Sequence, residues 1–140
     1  MVSGMGCRYE WADASQMVMN IFIEAPWTWE EFMQDSAHCF AAVKAYGKAC
    51  ATVVDVTRMG MLPPGNVLRY LGEIERTMPD NVFASVLVGA PDMLSILMEI
   101  IMRLRPRARR TALFAKSHDE ARAKVIERYE QLKAASDSPH

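Results

Sequence analysis

The chain has 140 residues, which sets one domain of about 100–200 residues as the expectation and leaves room for a substantial core. Hydrophobic residues make up 51% and charged residues 24%, which excludes wholesale disorder. Sixteen Lys+Arg against seventeen Asp+Glu give a formal net charge of −1, so bulk charge does not hold the chain on nucleic acid, and no nucleic-acid partner is expected.

Three cysteines, Cys7, Cys39 and Cys50, form an odd set with no CxxC spacing. Neither a disulfide framework nor a metal cluster is expected; reduced thiols in a cytoplasmic protein are. The first eight residues lack the apolar run of a secretory leader. The stretch Met93 to Leu104 is too short to span a bilayer and is interrupted by Ser95, Glu99 and Arg103. The near-zero net charge hides an asymmetry. Residues 1–57 carry three basic and seven acidic side chains, whereas residues 58–140 carry thirteen basic and ten acidic.

In chain order, residues 8–13 place Tyr9 and Trp11 on one face of a short strand. Asp13-Ala14-Ser15-Gln16 reads as a turn. Met17 to Glu24 reads as a second strand, with Met19, Ile21 and Ile23 alternating against Val18, Asn20 and Phe22. An antiparallel hairpin follows. Thr28 and Glu31 fit a capping box and Trp27 and Phe32 a hydrophobic staple, so a helix starts at Thr28. Its apolar stripe is Trp29, Phe32, Met33, Phe40 and Val43, and Gly47 ends it. Ala51 to Thr57 carries a β-branched run typical of a buried strand. Pro63-Pro64-Gly65 opens the next helix, with Val67, Leu71, Ile74 and Met78 at helical spacing before Pro79. Val82 to Val88 is strongly strand-like. Gly89-Ala90-Pro91-Asp92 restarts a helix that runs to Arg103 or Leu104, ahead of Pro106. Thr111 to Lys116 is a last short strand. Ser117 and Glu120 form another capping box, and the final helix sets Ala121, Val125, Tyr129 and Leu132 on one face, supported by a Glu120–Lys124 pair. The sequence divides into one domain over residues 8–134, with flexible termini at 1–7 and 135–140.

The pattern β-β-α-β-α-β-α-β-α predicts an α/β fold: a mixed, mostly parallel sheet with an antiparallel N-terminal edge strand and about four helices. With Trp27-Thr28-Trp29-Glu30-Glu31-Phe32, Val53-Val54-Asp55-Val56-Thr57, Leu62-Pro63-Pro64-Gly65 and Val86-Leu87-Val88-Gly89 as its carrying segments, this order of elements resembles the STAS-like fold of the anti-sigma-factor antagonists. It is similar above all to the small SpoIIAA-like bacterial proteins, which share their architecture with CRAL-TRIO lipid-binding domains. The resemblance implies a layered interaction or lipid-binding domain rather than an enzyme. In the antagonists, a turn Asp-Ser-x-Gly after the central strand carries a phosphorylated serine. Here that stretch is Leu62-Pro63-Pro64-Gly65, so no phosphoserine switch is expected there. Thr57, the nearest hydroxyl, reads as structural.

Ligands of open α/β sheets bind beyond the carboxyl ends of parallel strands. Those ends offer Asp55, Thr57, Pro64, Gly65, Gly89 and Ser117 as candidates for a small anionic ligand at helix N-termini. No phosphate-binding glycine motif is present, and no cofactor is expected. His38 sits beside Cys39 on a helix, where adjacent side chains diverge. His118 and Asp119 read as first-turn residues of a capped helix. An enzymatic reading would gain ground if Asp55 and His118 lay within hydrogen-bond reach of one pocket. No catalytic residue is otherwise expected.

The helix over residues 92–104 holds nine large apolar residues, with Asp92, Ser95, Glu99 and Arg103 as a narrow polar stripe. A helix lying on a sheet needs only one apolar face, so this one has apolar surface to spare. Neighbouring helices can cover the surplus. A second copy can cover it, making a homodimer through Met93, Leu94, Leu97, Met98, Ile101 and Met102. Or a lipid or anionic membrane surface can, with Arg103, Arg105, Arg107, Arg109 and Arg110 near its headgroups. The bland reading of those arginines is a solvated loop around Pro106, paired with the acidic N-terminal half. The leading expectation is a non-enzymatic module that self-associates through this helix; the alternative is a lipid or small apolar or anionic ligand-binding protein.

Overall fold

The structure, a computed structural model, describes residues 3–4, 6–13 and 17–137. Its elements are β1 (Ser3–Gly4), β2 (Cys7–Trp11), β3 (Val18–Glu24), α1 (Trp29–Tyr46), β4 (Cys50–Arg58), α2 (Val67–Thr77), β5 (Val82–Val88), α3 (Asp92–Leu104), α4 (Pro106–Thr111), β6 (Ala112–Ala115) and α5 (His118–Asp137). The strands lie side by side in chain order. β1–β2 and β2–β3 are antiparallel, and the three pairs from β3 to β6 are parallel. The expected α/β class, with its mixed and mostly parallel sheet, is what the chain adopts.

Local chemistry sets most element ends. The Thr28 hydroxyl accepts from the Glu31 amide at 3.1 Å, and the Trp27 and Phe32 rings pack 5.7 Å apart, so α1 has both its cap and its staple. Gly47 closes α1 with a left-handed φ of 76° and returns its amide to Val43. The Ser117 hydroxyl caps α5 through the Glu120 amide at 3.1 Å, and the expected Glu120–Lys124 pair stands at 3.3 Å.

Four elements differ from expectation. Ser3–Gly4 pairs with Cys7 and Arg8 as a two-residue strand, and α5 continues to Asp137. Regular structure thus reaches into both stretches expected to be flexible. The turn at 14–16 lies outside the described residues. α2 starts after Asn66, whose side chain accepts from the Arg69 amide at 3.1 Å, and not at Pro63-Pro64. The prolines belong to the preceding loop. Finally, the stretch read as a loop around Pro106 is the short helix α4, bringing the helices among the described residues to five. Arginines at alternate positions hid a helical signal: proline at the first position, then Ala108 and Thr111 buried three residues apart.

The core is double. On one face of the sheet α5 packs Ala121 and Val125 against Ala51, Val53, Ala84, Val86, Val88 and Ala115. The four alanines in this set let the helix approach closely. On the other face α1, α2 and α3 enclose two clusters. One holds Ile23, Trp27, Trp29, Val56, Met59 and Leu94, the other Met19, Cys39, Val43, Cys50, Met78 and Val82. The central strands are covered on both sides, which explains their continuous apolar runs. α5 packs mainly on β4, β5 and β6 and reaches β3 only along its edge, where Val18 meets the Ala121–Val125 cluster and His118 meets Phe22, so the outer face of β2 and β3 is left largely open. There Arg8, Glu10, Asn20 and Phe22 all keep solvent contact.

All three cysteines are buried free thiols. Burial pushes Cys7 and Cys39 up to about 12, with Asp35 and Glu31 adding to the effect on Cys7 and Cys50 to that on Cys39; Cys50 rises to about 11. Such thiols are poor nucleophiles.

Met19 has no exposed surface, whereas Ile126 on α5 is 53% exposed. Met19→Ala is expected to lower unfolding stability by about 2–5 kcal/mol, and Ile126→Ala to leave it within about 0.5 kcal/mol. Urea unfolding with matched denaturant slopes measures both.

Candidate functional site

The open half of the outer sheet face and the N-terminus of α5 make a crevice at the carboxyl ends of β3 and β4. Its centre is Asp55. Strand alternation turns Val54 and Val56 toward the helices α1–α3 and leaves Asp55 on the α5 face. One carboxylate oxygen accepts from the Thr57 amide at 2.9 Å and from the Thr57 hydroxyl at 2.6 Å. The other lies 2.8 Å from His118 Nε2. Burial of Asp55 works against its charge, but the hydrogen bonds from the Thr57 hydroxyl, His118 and the Thr57 amide, with the charge of His118, outweigh it. The carboxyl is held below the ordinary range.

His118 also stacks on Phe22, with ring centroids 5.9 Å apart and planes 25° from parallel. The Arg8 guanidinium lies 4.1 Å from the centroid of the same ring. Four elements (β2, β3, β4 and α5) therefore meet at one aromatic side chain. On one side of this contact is a hollow of about 300 Å³ lined by Arg8, Phe22, Glu24, Asp55, Thr57 and Arg58. On the other is a smaller hollow of about 170 Å³ between Asn20, His118 and Arg122.

The candidate ligand residues divide between the two faces. Asp55 and Thr57 lie in the crevice, and Ser117 sits at its rim as the cap of α5. Gly89 adjoins them: its φ is 73°, and a Cβ there would fall 2.3 Å from Thr57 Cγ2. Pro64 and Gly65 belong to a loop on the opposite face. There the Trp27 indole donates to the Met59 carbonyl at 2.8 Å and the Trp29 indole to the Pro63 carbonyl at 3.0 Å. Trp29 also stacks on Tyr70 at 4.9 Å, and a Cβ on Gly65 would meet both rings. The two halves of the expected anion site do not converge.

The distance condition set for an acid–base pair is met, since Asp55 and His118 are in hydrogen-bond contact. When Nε2 carries the proton, the carboxylate orients the ring and leaves Nδ1 as a proton acceptor. Nucleophilic catalysis would also need a nucleophile on the histidine. Thr57 directs its hydroxyl to Asp55 instead, and Ser117 is engaged in capping. Among the described residues no group of three or more metal-ligating side chains occurs. Sequence reasoning missed Arg8, Phe22 and Arg58. The available signal was Phe22 itself, a large aromatic between Asn20 and Glu24 on the face of β3 that alternates with the core-facing Met19, Ile21 and Ile23.

The second region is α3. Leu94 and Ile101 point into the core, and Leu97, Met98 and Met102 are half-buried. Met93, Ile96 and Leu104 are exposed by 65%, 58% and 71%. With half-buried Ile100 they follow helical spacing along one stripe, beside the polar one. The exposed apolar stripe is thus real, but it is carried by Ile96 and Leu104 as well as Met93, and Leu94 and Ile101 are core residues. The arginines that follow pair within their own half of the chain. Arg105 lies 3.7 Å from Glu75 and Arg107 lies 3.6 Å from Asp80. Among the described residues no ion pair joins these arginines to the acidic N-terminal half, the partner their bland reading gave them. No helix among the described residues is long and apolar enough to cross a membrane.

Comparison with protein-family models, with curated proteins and with solved structures returned no match.

The Asp55 carboxyl has a lowered native pKa, so its contribution to stability is present above the ordinary aspartate value of about 3.9 and is lost as the pH falls through the native value. Asp55→Asn is therefore expected to lower the thermal midpoint at neutral pH, and the gap from wild type is expected to close in acid. Thermal melts across that range check it.

Proposed function

We propose that the protein is a small, non-enzymatic interaction module of STAS-like architecture, without a phosphoserine switch, that pairs with a second copy of itself through α3. The observation that carries this reading is the exposed stripe of Met93, Ile96 and Leu104 on a helix whose other apolar residues already fill the core. The stripe is about 16 Å long at 1.5 Å rise per residue. Its polar flank runs from Asp92 in the first turn to Arg103 in the last. Two copies packed antiparallel around a twofold axis would set Asp92 against the partner's Arg103 and Met93 against the partner's Leu104, so the surface is self-complementary. Burying these side chains in both copies yields roughly 6–12 kcal/mol, close to the roughly 4–15 kcal/mol that association costs. The expected dimer is therefore weak and concentration-dependent. The buried, unpaired cysteines fit a reducing compartment such as the cytoplasm.

Sedimentation velocity over a concentration series tests this reading. The wild-type chain is expected to shift from monomer to dimer, and Ile96→Glu to remain monomeric with unchanged circular dichroism. A wild-type monomer at every concentration sinks the reading. Ile96 suits the test better than Met98, which packs against the Val56–Leu94 cluster, where a charge would disturb folding as well.

A second reading has its own support in the meeting of Arg8, Phe22, Asp55 and His118. This crevice suits a small polar ligand laid over the Phe22 ring. Ligand-observed nuclear magnetic resonance with a fragment set is expected to give binders that Phe22→Ala abolishes. Binders that persist in that variant, or none at all, count against it.

A further inference from the structure

The arginine-rich segment also builds a cleft of its own, at the end of the sheet opposite the Asp55 crevice. Between Ile100 and His118 the chain has six basic side chains and no acidic one. α4 folds three of them, Arg107, Arg109 and Arg110, toward α5, which adds Arg128. The result is a hollow of about 820 Å³ lined by these four arginines, with Phe83 and Leu132 as its apolar wall. Arg128 is held in place by donating Nη1 to the Arg110 carbonyl, and Phe83 by packing on Tyr129 at 5.7 Å. Asp80 reaches the cleft and pairs with Arg107, but its side chain is fully exposed. Among the described residues no carboxylate pairs with Arg109, Arg110 or Arg128. The cleft therefore concentrates positive charge beside an aromatic and an aliphatic surface.

We propose that this cleft binds an organic phosphate, the phosphate on the guanidinium groups of Arg109, Arg110 and Arg128 and the apolar part of the ligand against Phe83 and Leu132. Planar guanidinium forks match phosphate oxygens in pairs, and three in one hollow without a carboxylate partner suit a doubly charged group, while Arg107 stays engaged with the Pro79 carbonyl and Asp80. The size lies within the usual range for small-ligand sites, about 300–1,000 Å³. The phosphate can belong to a soluble metabolite or to a lipid headgroup; the chemistry of recognition is the same. The site is separate from the α3 stripe and does not depend on dimer formation.

The test is a nuclear magnetic resonance titration of the full chain with phenyl phosphate, phenol and inorganic phosphate at constant ionic strength. Phenyl phosphate is expected to give saturable shifts centred on Phe83, Arg110, Arg128 and Leu132, and to bind more tightly than either of its parts. Arg109→Gln combined with Arg110→Gln is expected to weaken binding by about tenfold or more. Arg69→Gln on α2 and Ile96→Glu on α3 are expected to leave it intact. Flotation with phosphatidic acid and phosphatidylcholine vesicles separates the sources. Flotation only with phosphatidic acid, lost in the double variant, assigns a lipid headgroup. Phenyl phosphate binding without flotation assigns a soluble phosphate. The absence of saturable shifts, or shifts that survive the double variant, overturns the proposal.

Discussion

Each of the three parallel connections in this chain leaves one strand, passes through helix, and returns to pair with the strand just left. Such crossovers are right-handed almost without exception, and here all three add strands in the same direction. α1, α2 and α3 must then lie on one face of the sheet, as they do, and only a helix after the last strand can reach the other. α5 is that helix. It covers β4 to β6, touches β3 only at Val18 and Phe22, and leaves most of the outer face of β2 and β3 open. The crevice around Phe22 exists because a single helix cannot shield six strands.

The same constraint bears on α3. It is the last helix on its face, beyond α2, and packs on α2 and α4. Leu94 and Ile101 meet the core, and what stands outside that contact stays in water. A helix sandwiched between two others would have had its Ile96 stripe covered. Position in the layer, more than composition, decides which of its apolar residues are available to a partner.

Elements with strong local chemistry were legible in the sequence. The Thr28 cap, the Trp27–Phe32 staple, the Gly47 stop, the alternation in β3 and the strand-like run of β5 each follow from short-range rules, and each stands as read. What failed was either too short or mixed in period. β1 has two residues and no pattern. α4 has six, with arginines at alternate positions that imitate the period of a strand. The crevice was half legible: Asp55 and Thr57 could be placed at a strand end by alternation. Their meeting with His118, Phe22 and Arg8 depends on sheet order, which alternation does not specify. Pro64 and Gly65 looked like the other half of that site. They belong instead to a loop fastened to Trp27 and Trp29 by bonds between residues more than thirty positions apart. Arg128 joined the arginine cleft for a similar reason, since only the packing of α5 brings it near α4.

The coincidence of chain order with sheet order also bears on how the molecule is made. Every strand docks on an edge that already exists when it emerges, so assembly can keep pace with synthesis, and no strand waits for a distant mate. The exception is the last twenty residues of regular structure. Until α5 leaves the ribosome, Val53, Val86 and Val88 have no lid, and the nascent sheet carries a greasy flank that a chaperone could recognise.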